Sequence, residues 1–284
     1  LKQSVPIWAN VYPTKRRPKQ TKWSHEMNEP VTYGDFTDVA AHYRHKFHYT
    51  ASVLDLLCAH VDVGRPGFAV VDVGAGAGEL TAALAEKGCR GFAIEPNAAM
   101  SAEGKARMGA ASCFEWAHGT AEAIPLEDAS VDWVCYGGSF HWAQKAAALS
   151  EARRVLRPGG FLTAIWTLRD LDHDRLHVAV DEKIEEMIPN VHRVHHGIRS
   201  LMNRIVDVLQ SSGEFGDCVQ IGGWHCEVTP KERYLDMWRM AHDVRSQASP
   251  ERFEEILAAI DELIGARTTL DLHYDTRSWT VRML

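Results

Sequence analysis

The fifteen residues VVDVGAGAGELTAAL, Val70 to Leu84, constrain this chain more than any other stretch. An apolar run carrying one acid, Asp72, stops at Gly74. Glycines follow at 74, 76 and 78, and apolar residues then recur at helical spacing. A short buried strand that turns through glycines into a helix is the opening of a βαβ unit. There the loop backbone can approach a ligand closely, and the helix N-terminus points at it.

The alternation continues downstream. GFAIE reads as a strand ending at Glu95, and a helix is predicted from Asn97 to Met108. SCFEWAHG and VDWVCYG follow as strands, the second ending at Gly137. A helix spans Gln144 to Leu156, RPGG turns the chain, and FLTAIW is the fifth strand of the series. Strands alternating with helices imply right-handed crossovers and a parallel sheet. Upstream, Asp35 to Cys58 has helical spacing. After Trp166 the rhythm breaks. Helices are predicted over 174–187, 198–211, 231–244 and 250–264. The strand CVQIGGWHCEV falls among them, and LDLHYDTRSWTVRML closes the chain with a turn near Asp275. The expected fold is a Rossmann-like α/β sheet, mostly parallel, with an antiparallel edge hairpin. The late helices should cap the C-terminal strand ends, where open α/β sheets bind ligands.

The glycine spacing narrows the ligand. A dinucleotide loop reads G-x-G-x-x-G, but position 79 is Glu79, and a carboxylate there repels a pyrophosphate. No Lys-Ser or Lys-Thr follows, so a P-loop is excluded. Glu95, at the end of the next strand, stands where an acid receives the two hydroxyls of a ribose.

Charge and cysteine usage bound the rest. The net charge of −7 argues against general nucleic-acid affinity. Six scattered cysteines form no C-x-x-C pair and read as reduced thiols. No apolar run approaches about 18 residues, and no hydrophobic signal core opens the sequence, so a cytoplasmic protein without membrane contact is expected. Lys2, Lys15, Arg16, Arg17, Lys19 and Lys22 precede the first acid, Glu26, and prolines at 6, 13 and 18 interrupt the stretch. Residues 1–34 read as a solvated basic arm, with a targeting or anion-binding arm as the other reading. His173 and His177 are four apart, and His192, His195 and His196 cluster, but without an H-E-x-x-H arrangement or a cysteine no metal site is expected. The segment 188–209 carries Arg193, Arg199, Arg204 and three histidines against Asp207 alone. It fits either an anionic, carboxylate-bearing partner or a solvated helix face.

With these motifs in order, the sequence resembles the class I S-adenosylmethionine-dependent methyltransferases. It is most similar to the small-molecule branch that includes ubiquinone-biosynthesis-type and trans-aconitate-type enzymes. VDVGAGAGELT resembles the first motif and IEPNAAM the acid loop. GTAEAIPLEDASVDWV resembles G-D-A-E-x-L-P-F…S-F-D-x-V, and SFHWAQKAAALSEARRVLRPGGFL resembles the Q-A-F-H-W segment and its L-R-P-G-G turn. The match is dense from Val70 to Trp166 and loose in the cap and tail.

The resemblance implies seven strands in the order 3-2-1-4-5-7-6, strand 7 antiparallel. The domain would cover 35–284, with helical cap insertions at about 168–215 and 230–265. It implies S-adenosyl-L-methionine as cofactor, a small-molecule methyl acceptor at O, N or C, and no nucleic-acid partner. Tyr43, Gly74, Ala75, Gly76, Gly78, Pro96 and Gly137 would contact the cofactor. Glu95 would take the ribose hydroxyls, Met100 would lie near the adenine, and Asp72 near the methionyl ammonium. Thr120 stands where the family usually has aspartate; its hydroxyl accepts more weakly, while Ala121 and Glu122 stay in pattern. Tyr33, Phe140, Trp142, Arg193, His196 and Arg199 would bind the acceptor, and Tyr33, His42, Tyr43 and Tyr49, on or near the N-terminal helix, would either line a lid or pack that helix. His141 is the candidate general base, against a purely loop-ordering role. The other functional classes are an RNA or protein methyltransferase using the basic arm, which lacks an N-P-P-Y-type loop here, and a non-catalytic cofactor-binding protein.

Overall fold

The structure is a computed structural model that describes residues 6–13, 37, 40, 48–110 and 112–284, apart from the side chains of residues 194–196. In chain order the elements are β1 (Ile7–Tyr12), α1 (Ala51–His60), β2 (Val70–Val73), α2 (Glu79–Glu86), β3 (Gly91–Ile94), α3 (Ala98–Met108), β4 (Phe114–Ala117) and β5 (Val131–Gly137). After a 3₁₀ turn at Phe140–Trp142 come α4 (Lys145–Val155), β6 (Leu156–Arg169), α5 (Arg175–Met187), α6 (Val194–Met202), α7 (Ile205–Leu209) and β7 (Phe215–Pro230). The chain ends with α8 (Lys231–Arg239), α9 (His242–Arg245), α10 (Pro250–Ile264) and β8 (Thr269–Met283).

The strands form one sheet in the order β1-β7-β8-β6-β5-β2-β3-β4. Counted from β2, this is the order 3-2-1-4-5-7-6, with β8 antiparallel to both β6 and β7. One strand is additional. β1 pairs antiparallel with β7 at the sheet edge, inside the segment read as a solvated arm. Pro6 and Pro13 bracket it, and proline ends a ladder because it has no N–H to donate. Trp8 covers Gly222, where a Cβ would come within 2.4 Å of the indole, and the Tyr12 hydroxyl donates to Gln220 at 2.9 Å.

The central strands are buried on both faces, as a parallel sheet covered by helices requires: all four residues of β2 are buried, and six of the seven in β5. One face packs α4 and α7 against Val134, Tyr136, Leu162 and Trp166. The other packs α1 and α2 against Val70, Trp133 and Ile165. A third core belongs to the cap, where Val180 and Ile184 of α5 meet Trp238, Phe253, Ile256 and Ile260 of α8 and α10 and Leu272 and Tyr274 of β8. Caps fix the helix starts: Asn97 accepts from the Ala99 and Met100 amides, Asp174 from His177, and Ser249 from Arg252 ahead of Pro250.

Three sequence expectations change. The helix expected over 198–211 is two helices, broken at Asn203 and Arg204, and that over 231–244 is likewise two. β8 runs unbroken through Asp275, so no turn forms there, while β7 and β8 make the expected antiparallel pair with α8–α10 between them. Of the helix expected over 35–58, α1 begins only at Ala51, with 48–50 outside any helix; residues 41–47, with His42 and Tyr43, and also Tyr33, lie outside the described residues. Among the described residues no helix is long and apolar enough to cross a membrane.

Candidate cofactor site

A cavity of about 310 Å³ opens at the C-terminal ends of β2, β3 and β5. Its floor is the glycine loop. Gly74, Gly76 and Gly78 have φ of 70°, 57° and 78°, the left-handed region that glycine enters without strain. A Cβ on Gly74 would sit 2.6 Å from the Ser139 Cβ, so the loop can pass this close to the chain after β5 only as glycine. The Ser139 hydroxyl donates to the Val73 carbonyl at 2.5 Å and pins the two strand ends together.

Two carboxylates flank the loop. Glu95 accepts from the Gly76 N–H (2.8 Å) and the Asn97 N–H (2.8 Å), which orients it toward the cavity it lines. Burial raises its pKa, and the two backbone donors oppose that rise. Asp72 lies beneath the loop, off the cavity lining, at 1% exposure. Its Oδ2 accepts from the Thr81 hydroxyl at 2.6 Å, and its buried Oδ1 has no hydrogen-bond partner. Burial pushes this carboxyl up to about 7; the Thr81 hydrogen bond opposes the rise and the charge of Glu95 adds to it. An unmatched buried acceptor of this kind is costly unless a donor arrives.

The other anticipated residues divide by position. Ala75, Pro96 and Met100 line the cavity on the glycine-loop side, and Thr120, Ala121, Gly137 and Trp142 line it on the other. Gly78 is off the cavity and lets α2 approach α3, a Cβ there meeting Gly104 and Trp116 at 3.3 Å. Glu122 is also off the cavity, its Oε1 accepting from the Gln144 amide at 2.7 Å at the start of α4. Phe140 is fully buried, edge-on to Tyr136 at 5.0 Å, so it anchors the turn rather than facing a ligand. Tyr33 and Tyr43, and the side chain of His196, are outside the described residues.

His141 does not line the cavity. Its Nδ1 accepts from the Trp166 indole N–H at 3.3 Å, and its ring lies 4.8 Å from that of Trp142. Lys145 closes the turn by donating to the carbonyls of His141 (2.9 Å) and Ala143 (2.6 Å). With Nδ1 as acceptor the neutral ring carries its proton on Nε2, so its basic atom faces the buried Trp166.

Arg193 and Arg199 lie in the cap, away from this cavity. Arg193 donates to Asp243 (3.0 Å) and Asp181 (2.6 Å), partners 50 and 12 residues away that a charge count cannot assign. Sequence reasoning missed Leu80, Asn97, Tyr136 and Ser139 as lining residues. The dipeptide Gly138–Ser139 directly after a strand was the available signal for the last. Glu79 lines the cavity but is paired with Arg107 at 2.6 Å, which offsets part of its charge. Of the paired histidines, His173 bonds to Asp170 and His177 stacks on Trp238; among the described residues no three potential ligands converge on a metal position.

Residues 71–164 match a family model described as a methyltransferase domain. This chain carries a methyltransferase domain over residues 71–164. Its fold is shared with a solved structure from Anaeromyxobacter dehalogenans, provisionally assigned as a type II methyltransferase. That structure has a TM-score of 0.56 and 21% identity, covering 84% of this chain and 97% of that one. In sequence, the methyltransferase domain is 43% identical over 101 residues to an uncharacterized methyltransferase of Mycobacterium tuberculosis, covering 36% of this chain and 40% of the relative. It is 38% identical over 112 residues to the ubiquinone/menaquinone biosynthesis C-methyltransferase of Rubrivivax gelatinosus, covering 37% and 44%. The chain thus spans less than half the length of these relatives.

Proposed function

We propose that this chain transfers a methyl group from S-adenosylmethionine to a small organic molecule. The observation that carries the reading is Glu95 held toward the cavity beside a glycine loop that lets a ligand reach the backbone, with a second carboxylate, Asp72, buried beneath that loop. Their chemistry fits the two ends of this cofactor. Glu95 has lone pairs beyond those taken by Gly76 and Asn97, suited to a vicinal diol. The unpartnered Oδ1 of Asp72 suits an ammonium, which would also return the carboxyl to its charged form. Met100, Pro96 and Ala121 offer apolar surface for an aromatic base, and Thr120 offers one hydroxyl acceptor beside it.

When bound, the cofactor supplies a methyl carbon that is already electrophilic, so the task left to the protein is alignment, which can reach effective molarities of about 10⁵–10⁸ M. Tyr49, Ser139 and Trp142 line the part of the cavity nearest the turn after β5 and would hold the acceptor there. His141 orders that turn: it accepts the Trp166 N–H hydrogen bond and packs on Trp142, and so acts as a positioning residue. The working unit is the sheet with β1 added at its edge, the helices at 175–209 and 231–264 forming the cap.

The test is calorimetry with S-adenosylhomocysteine, followed by transfer of radiolabelled methyl groups to separated small-molecule, RNA and protein fractions of a cell extract. Label in the small-molecule fraction is expected. Absence of binding, or label confined to a macromolecular fraction, would overturn the reading.

A further inference from the structure

A second cavity, of about 200 Å³, lies in the cap beyond the end of β6. Its walls include Leu168 and Arg169 at the end of β6, His177 of α5, Arg193 and Arg199 at either end of α6, and Trp238 of α8. It shares no lining residue with the cofactor cavity. Every charged or titratable side chain among its described lining residues is basic.

Two of the three arginines are committed elsewhere. Arg193 is held between Asp181 and Asp243. Arg169 lies 3.6 Å from Asp174 and over the rings of Tyr234 (5.3 Å) and Tyr274 (4.5 Å). Arg199 differs. One of its Nη2 hydrogens goes to the Arg169 carbonyl at 2.8 Å, its Nε is buried without a hydrogen-bond partner, and no ion pair joins it to a described carboxylate. Asp275, which feels its charge, is tied through Oδ2 to Nε and Nη2 of Arg277, while its buried Oδ1 has no hydrogen-bond partner and no ion pair reaches Arg199. A guanidinium has five N–H donors and a planar fork that matches a carboxylate. Arg199 is partly buried, and an unpaired buried edge of a guanidinium is costly. Leu168 and Trp238 make the rest of the wall largely apolar, and the volume falls below the roughly 300–1,000 Å³ of drug-sized sites.

We infer that this cap cavity binds a small carboxylate with an apolar body, and that Arg199 receives the carboxylate. The inference does not depend on the methyl-transfer reading. The methyl acceptor and a separate small acid share this chemistry, and α6 packs against the Phe140–Trp142 turn, so either could be sensed at the cofactor cavity.

Benzoate serves as the probe and benzamide as its uncharged isostere, titrated calorimetrically into the full chain. Benzoate should bind at least tenfold more tightly than benzamide. Arg199→Gln should weaken benzoate by about ten- to a hundredfold, the usual range for a lost charge-assisted hydrogen bond, with benzamide unaffected. If Arg199→Gln melts early, Arg199→Lys keeps the charge without the fork and should still weaken benzoate severalfold. Equal affinity for benzoate and benzamide, or unchanged benzoate binding in the folded variants, would overturn the site. Repeating the titration with saturating S-adenosylhomocysteine assigns the source. A changed benzoate affinity marks the carboxylate as part of the acceptor, an unchanged one marks a separate ligand, and both keep the site. Failure of S-adenosylhomocysteine itself to bind would remove the methyl-transfer reading and leave this one standing.

Discussion

Replacing Asp72 by asparagine tests what the fold gives up to keep a carboxylate under the glycine loop. Burial moves this group from 3.8 to about 7. In the unfolded chain it titrates near its ordinary value, so below pH of about 3.8 both states hold the proton and the group is neutral in the balance. Between about 3.8 and 7 only the unfolded chain ionises. Stability therefore falls as the pH rises through that window and is level above it. At about 1.36 kcal/mol per pH unit the loss is about 1.5 kcal/mol at pH 5 and about 4 kcal/mol at pH 8. Asparagine can still accept the Thr81 hydroxyl and does not ionise. Relative to wild type, Asp72→Asn should gain about 2–3 kcal/mol on going from pH 5 to pH 8, read from urea unfolding without ligand. The same variant should bind S-adenosylhomocysteine about ten- to a hundredfold more weakly at pH 8, because the carboxylate is lost. A stability gap that is equal at both pH values would refute the assignment of the cost to Asp72.

Three further outcomes are expected. Glu95→Ala should weaken S-adenosylmethionine and S-adenosylhomocysteine alike by about 1.5–3 kcal/mol in calorimetry, and an unchanged affinity in the folded variant removes Glu95 from the site. Gly74→Ala, at φ 70° and 2.6 Å from the Ser139 Cβ, should lower the melting temperature and abolish cofactor binding together, whereas normal values for both would mean the Ser139 turn yields freely. His141→Phe should keep turnover within about tenfold and leave the shape of the pH–rate profile intact; loss of an acidic limb with a drop of about 10²–10⁴ would restore His141 as a general base.

The parts of the fold legible in the sequence are those where one residue type admits one backbone. Positive φ at Gly74 and Gly76 marked the loop, and the run of buried β-branched residues in β2 marked a central parallel strand. β1 escaped because five of its six residues are exposed, which erases the alternation that identifies a half-buried strand. The polar run at Asp275 suggested a turn for a related reason: it is buried, and its hydroxyls are satisfied across strands that the sequence does not juxtapose. Thr276 bonds to Thr167 and Thr50, and Thr280 to Thr163. Glu95 was legible by its place at a strand end, while Glu122 and Arg193 show their charge in the sequence but not their partners, Gln144 and the pair Asp181 and Asp243.

β7 and β8 remain paired out to Pro230 and Thr269, well past the end of β6, and the whole of α8–α10 leaves and re-enters the ladder between those two facing residues. Cross-strand neighbours stand about 5 Å apart, so the two ends of this 38-residue excursion, Lys231 to Thr268, are already in register before the helices are built. Any segment whose ends can meet at that distance could be exchanged here without shifting a hydrogen bond of the ladder. The ribbon is thus a graft point. It would let one methyltransferase core carry different covers, and so different acceptors, while the loop that faces the cofactor is left untouched.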